Sequence, residues 1–170
     1  MTRIQSLPEA ERILARLPPR AQESIEAAIP TAWLPLLPFP AILLEEIGEA
    51  RARAFFRAHA AAQFDTPLYR GLLRTAQSLF GRGVDAALWI FAKGYGHAYR
   101  DAGHVEVERT GPGRATASLL EAPPIVVRDA ARRVCFEAMV RGVLDATGAD
   151  VELAVHDRPG RVDFELRWEP

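Results

Sequence analysis

Lysine is nearly missing from this chain. Lys93 stands alone among 21 basic side chains, the others being arginine, and this usage, with its abundant alanine, reads as a base-composition bias more than a functional choice. Cysteine is down to one, Cys135, which excludes an internal disulfide and any cysteine-rich zinc site. Excess charge is missing as well. The 21 basic and 22 acidic groups leave a net charge of −1, so no broad basic field exists for non-specific nucleic-acid or anionic-membrane binding. A long apolar run is also lacking: the stretch from Ala32 to Leu44 is cut by Pro35, Pro38 and Pro40 and is too short for a bilayer, so no membrane span is expected. After Met1-Thr2-Arg3-Ile4-Gln5, Glu9 and Glu11 fall where a secretion signal would carry its apolar core, and the expected location is cytoplasmic.

What is present suffices for a folded domain. Of 170 residues, 49% are hydrophobic and 25% charged, enough apolar surface to bury a core and too much for disorder. Ser6-Leu7-Pro8-Glu9 has capping-box spacing before a helical face of Ala10, Ile13, Leu14 and Leu17, which Pro18-Pro19 stops. A second short helix is expected from Pro19 to Ile29, with Ala21, Ile25 and Ala28 inward. The proline-spaced segment Pro30 to Pro40, carrying Trp33, reads as a packed extended connection. From Ala41 to Gln63 the apolar positions fit helical turns with a break near Gly48. Thr66 then caps a helix that opens on Pro67 and carries Leu68, Leu72, Leu73, Ala76, Leu79 and Phe80 on its apolar face. Val84 to Ala102 is helical in pattern, and Gly94 and Gly96 predict a local break in it or a close backbone contact.

The last third alternates with a period of two. Val105 and Val107 oppose Glu106 and Glu108, the Thr110-Gly111-Pro112-Gly113 turn follows, and Ala115, Ala117 and Leu119 return. A second hairpin pairs Val151, Leu153 and Val155 with Val162, Phe164, Leu166 and Trp168 around Asp157-Arg158-Pro159-Gly160. Between the hairpins, Arg128 to Thr147 is an amphipathic helix with Arg133, Glu137, Arg141 and Asp145 as its wet stripe and Gly148 as its C-cap. The fold class is therefore α+β: a helical N-terminal layer packed on a four-stranded, largely antiparallel sheet, ordered β-β-α-β-β at the C-terminus. Two regions are expected, a helical extension over 1–30 and one α+β domain over 31–170.

The blocks Gly103-His104-Val105-Glu106-Val107-Glu108, Met139-Val140-Arg141-Gly142-Val143-Leu144, Thr147-Gly148-Ala149-Asp150-Val151-Glu152 and Phe164-Glu165-Leu166-Arg167-Trp168 resemble a myxobacterial paralogous family of uncharacterised proteins. That family is similar in pattern to the superfamily of heme-nitric-oxide-binding domains, 4-vinyl-reductase-like domains and Golgi transport-particle subunits. The resemblance covers roughly residues 33 to 168 and implies helices on an antiparallel sheet, with a pocket between the layers that some relatives fill with heme or fatty-acyl ligands. It also implies a homodimer or a larger assembly. The chain departs from the heme branch in having no Tyr-x-Ser-x-Arg signature, and from the vinyl-reductase-like branch in having no paired cysteines, so no cofactor and no metal are expected.

The candidate chemistry is sparse. No Ser/His/Asp order or metal-ligand spacing stands out, and no catalytic residue is assigned. His97 and His104 flank a helix-to-strand junction and are the heme ligands in the alternative reading, a gas sensor or reductase-like factor; their simpler reading is a helix end and a solvent-facing strand position. His59 reads as a hydrogen-bonded helix histidine and His156 as surface. Cys135 reads as a small core hydrophobe, lacking a nearby base. Glu45, Glu46 and Glu49 read as a salt-bridged face with Arg51 and Arg53. By analogy with the superfamily, the walls of any ligand pocket come from Trp89, Tyr95, Phe136 and Met139. The leading expectation is a non-catalytic regulatory or sensory module that binds a small apolar ligand or a protein partner; a structural assembly subunit is the further alternative.

Overall fold

In the computed structural model the described residues are 4, 7–26, 39–98, 102–123 and 129–169, without the side chains at 20, 24–26, 68 and 98. The chain divides into two compact units, Met1–Phe55 and Phe56–Pro170. The described residues form seven helices and a four-stranded antiparallel sheet, an α+β architecture with helices first and strands last.

The first unit holds α1 (Ala10–Arg16), α2 (Pro19–Glu26), α3 (Phe39–Ile47) and the start of α4 (Glu49–Gln63). Its core takes Ile13, Leu17, Ala21 and Leu43 out of solvent. The expected capping box rests on Ser6, which lies outside the described residues; Glu9 sits at the N-cap of α1 without a side-chain cap bond. Its carboxylate instead accepts two hydrogen bonds from Arg51, at 2.8 and 3.1 Å. These hold the Glu9 carboxyl below its ordinary pKa. Glu45 and Glu46 pair with Arg16, not with Arg51 or Arg53 as their neighbourhood in sequence suggests, while Arg53 does meet Glu49 one turn away. Helix α3 begins at Phe39, so Pro40 belongs to its first turn, where a missing N–H costs little. Positions 27–38, with Trp33 and Ala28, are outside the described residues. Gly48, at φ +78°, separates α3 from α4 as the sequence predicts.

The second unit contains the rest of α4, then α5 (Pro67–Phe80), α6 (Val84–Ala98), β1 (His104–Gly111), β2 (Arg114–Leu120), α7 (Ala130–Thr147), β3 (Glu152–Arg158) and β4 (Arg161–Arg167). Thr66 stands at the N-cap of α5 ahead of Pro67. Of the break or close contact expected at Gly94 and Gly96, the break does not occur, since α6 runs unbroken through both. Gly94 is buried close to Ile90 and Tyr69, so its small size serves packing and not a bend. Leu79 and Phe80 also depart from expectation. Placed on the apolar face by their spacing, they are 63% and 48% exposed at the end of α5.

The strands run in the order β1-β2-β4-β3, every neighbour antiparallel. Each turn is tighter than expected, Pro112-Gly113 and Pro159-Gly160 sufficing, and the β1–β2 register shifts between Arg109 and Gly111. The period-two pattern lays Val107, Ala117, Phe164 and Val155 in one cross-strand row on the inner face, with Val105, Leu119 and Val162 in the next. Over this face pack Ala87, Leu88 and Phe91 of α6 and Leu144 of α7. Asp129 caps α7 through its side chain, 2.8 Å from the Ala131 N–H, and Gly148 ends it in the left-handed conformation, φ +72°. Arg109 of β1 pairs with Asp85 in the first turn of α6, and its guanidinium lies 5.6 Å from the centre of the Trp168 ring.

One outward position is not wet. Asp163, alternating with core residues on β4, is 5% exposed. The Ser118 hydroxyl donates to it at 2.7 Å, and Arg161 and Arg158 approach at 3.1 and 3.6 Å. A carboxylate on a central strand, flanked on both sides, is roofed by its own partners.

Candidate functional site

The notable void of the second unit is a half-enclosed apolar cavity of about 90 Å³ between the helices and the inner face of the sheet. Its origin lies in three small side chains. Ala60 of α4, Gly94 of α6 and Ala117 of β2 all line it, and each stands where a larger residue would close the space. Helix α4 is drawn tightly onto α7 at Gly142. A Cβ there would lie 2.3 Å from the Arg57 carbonyl oxygen and 2.7 Å from the Ala60 Cβ. Beside this contact, Arg57 grips Asp145 with Nε at 2.6 Å and Nη2 at 2.7 Å.

Aromatic and aliphatic groups form the remaining wall. Phe91 and Tyr95 come from α6, Phe136, Met139, Val140 and Val143 from α7, and Phe164 from β4. The Tyr95 and Phe136 rings meet at 6.2 Å in a tilted pair. The Tyr95 hydroxyl donates to the Ala102 carbonyl at 3.0 Å, tying the end of α6 to the approach of β1. Burial raises the pKa of that phenol, and the nearby Arg132 guanidinium opposes the rise only in part. Tyr69, edge-on to Phe64 at 5.9 Å, and Gln63 also line it, with Ile90, Val105 and Leu119. Among the described residues no charged side chain lines the cavity.

Of the four wall residues expected from sequence, Tyr95, Phe136 and Met139 line the cavity and Trp89 does not. Trp89 packs instead against the cluster of Phe64, Ala76, Ala86 and Ile90, because its position on α6 turns it toward α5. The sequence marks Gly94 as a break or close contact and Ala117 as an inward strand position, but does not join them as the residues that leave the space. The signal for the space is two small residues at inward positions of facing elements.

The histidines stand apart from the cavity. His97 is exposed in the last turn of α6. His104 is exposed on β1, 3.4 Å from Glu106 and 3.5 Å from Glu121. His59 meets Gln63 at 3.3 Å between Nε2 atoms. Among the described residues no group of three or more His, Cys, Asp or Glu is placed to hold a metal. On the outer face Ser118, Asp163 and His156 share one cross-strand row, but Asp163 stands between the other two. A hydroxyl activated by histidine needs the imidazole in the middle, so this row is not a triad. Cys135 is partly buried and its thiol reaches the Met139 sulfur at 3.7 Å. Burial pushes that thiol up to about 12, against the smaller opposing pull of Arg132, which is the reverse of what a nucleophile requires.

No family model, curated protein or solved structure matches the chain. Among the described residues no helix is long and apolar enough to cross a membrane.

Proposed function

We propose that the chain is a binding module for a small apolar molecule, acting in regulation or sensing by recognition and not by bond-making. The observation that supports this reading is the cavity itself, whose wall is built from apolar side chains of α4, α5, α6, α7 and the sheet. Native cores leave few voids larger than a water molecule, and a polar-poor void of this size does not hold ordered water well. A site with one open side and converging aromatic walls is the usual form of a small-molecule pocket. At about 90 Å³ it is smaller than the roughly 150 Å³ that encloses benzene in a sealed cavity. The occupant is then a short chain whose far end reaches the opening, and not a heme.

The experiment is a titration of the protein with n-pentane, read on the methyl signals of Met139, Val140 and Ile90 by carbon–proton correlation NMR. The reading requires saturable shifts at these methyls and their loss in Gly94→Leu, where the added side chain occupies the space. Unmoved methyls in the unsubstituted protein would make the void a packing defect and end the proposal.

A second reading, a homodimer or assembly subunit, draws on one observation. Leu79 and Phe80 are adjacent, large, apolar and exposed, which is uncommon for a surface with no partner. Light scattering of the protein beside a Leu79→Ser/Phe80→Ser variant tests it: a dimer that becomes a monomer supports the reading, and a monomer in both removes it.

A further inference from the structure

Resting on the cavity reading, we infer that the ligand is an uncharged, short-chain molecule with a single hydroxyl or carbonyl group, and that Tyr69 selects it. Among the described residues the wall offers no positive side chain to meet a carboxylate or phosphate, and burying an ion without a partner costs far more than the surrounding apolar contacts return. Arg132, the cation whose field reaches Tyr95 and Cys135, is not a lining residue and has Asp129 at 3.7 Å. A free fatty acid would bring an ionised carboxylate, for which the described wall has no partner.

The uncharged polar groups of the lining are few, and most are already committed. The Tyr95 hydroxyl is bonded to the Ala102 carbonyl, and the Gln63 amide nitrogen stands against His59. The Tyr69 hydroxyl has no hydrogen-bond partner among the described residues, although its surroundings are desolvated enough to raise its pKa. A protonated phenol donates one hydrogen bond and accepts one. It suits the oxygen of an alcohol or ketone whose chain points inward to Phe136 and Met139. A partly buried hydroxyl without a protein partner gains more from such a ligand oxygen than one already satisfied.

The test compares n-pentane, 1-pentanol and pentanoate at pH 7.4, each titrated into the protein and into Tyr69→Phe with the methyl signals of Met139 and Val140 as the readout. Phenylalanine keeps the edge contact with Phe64 and removes only the hydroxyl. Expected are binding of pentanol to the unsubstituted protein, its weakening by about two- to tenfold in Tyr69→Phe, the scale of one lost hydrogen bond, and a smaller change in pentane affinity than in pentanol affinity. Pentanoate should bind at least roughly tenfold more weakly than pentanol, reflecting the desolvation of its charge. Equal pentanol affinity in the two proteins, or pentanoate binding as tightly as pentanol, overturns the ligand class while pentane binding still upholds the cavity. Failure of pentane itself to bind removes the cavity reading and this inference with it.

Discussion

Gly142 of α7 and Arg57 of α4 meet backbone to backbone: a Cβ on Gly142 would lie 2.3 Å from the Arg57 carbonyl oxygen. No L side chain fits such a gap without moving a helix. Gly142→Ala is therefore expected to destabilise the protein by about 2 kcal/mol or more, since overpacking against backbone is not relieved by a rotamer change. Chemical denaturation checks the value, and a loss below about 0.5 kcal/mol would show that the helices part easily.

The opposite sign is expected at Gly94. A methyl there meets Ile90 Cγ2 at 3.5 Å and Tyr69 Cε1 at 4.0 Å, ordinary contact distances, on a helix that is unbroken. Gly94→Ala should stabilise by about 0.5–1 kcal/mol through helix propensity while narrowing the cavity, so the variant should melt higher and bind pentane more weakly. Increased stability with unchanged binding would place the ligand elsewhere.

The pair between Arg57 and Asp145 is two-pronged but solvent-exposed, with about half of each side chain accessible. Screening by water limits its contribution. Arg57→Ala is expected to cost about 0.5 kcal/mol, far less than Gly142→Ala, so the α4–α7 contact owes more to close backbone approach than to charge. Comparing the two variants by urea midpoint distinguishes these contributions.

Cys135 carries a pH signature. Burial pushes its thiol up to about 12, whereas an unfolded cysteine ionises near ~8.5. Above that pH the unfolded chain releases a proton that the folded chain keeps, so the stability contributed by the buried thiol is complete below about pH 8.5 and is lost as pH rises toward 12. The urea midpoint should fall between pH 8 and pH 10.5, and less steeply in Cys135→Ala. The native thiol should also resist iodoacetamide at pH 8 and react on unfolding; rapid native alkylation would contradict its burial.

The fold was legible because its signals are local. Alternation over Val105 to Leu119 and over Leu153 to Leu166 assigns the inner face of the sheet directly, and Thr66-Pro67, Gly48 and Gly148 mark helix boundaries where they occur. Positions decided by tertiary contact were not legible. Asp163 alternates as a solvent residue and is buried by Ser118, Arg158 and Arg161 from neighbouring strands and the turn. Leu79 and Phe80 keep helical spacing yet stay exposed, because α5 ends where nothing among the described residues covers them. The cavity was legible only in part: large walls such as Tyr95, Phe136 and Met139 stand out in a sequence, while the space between them depends on Ala60, Gly94 and Ala117 meeting across three elements.

The most direct measurement is the set of intermolecular nuclear Overhauser effects between bound 1-pentanol and the protein. A ligand seated in the cavity gives contacts from its terminal methyl to the methyls of Met139 and Val140, and none to Leu79. Contacts to Leu79 and Phe80 alone, or none at any cavity methyl, would contradict the proposal that this chain holds a small apolar molecule between its helices and its sheet.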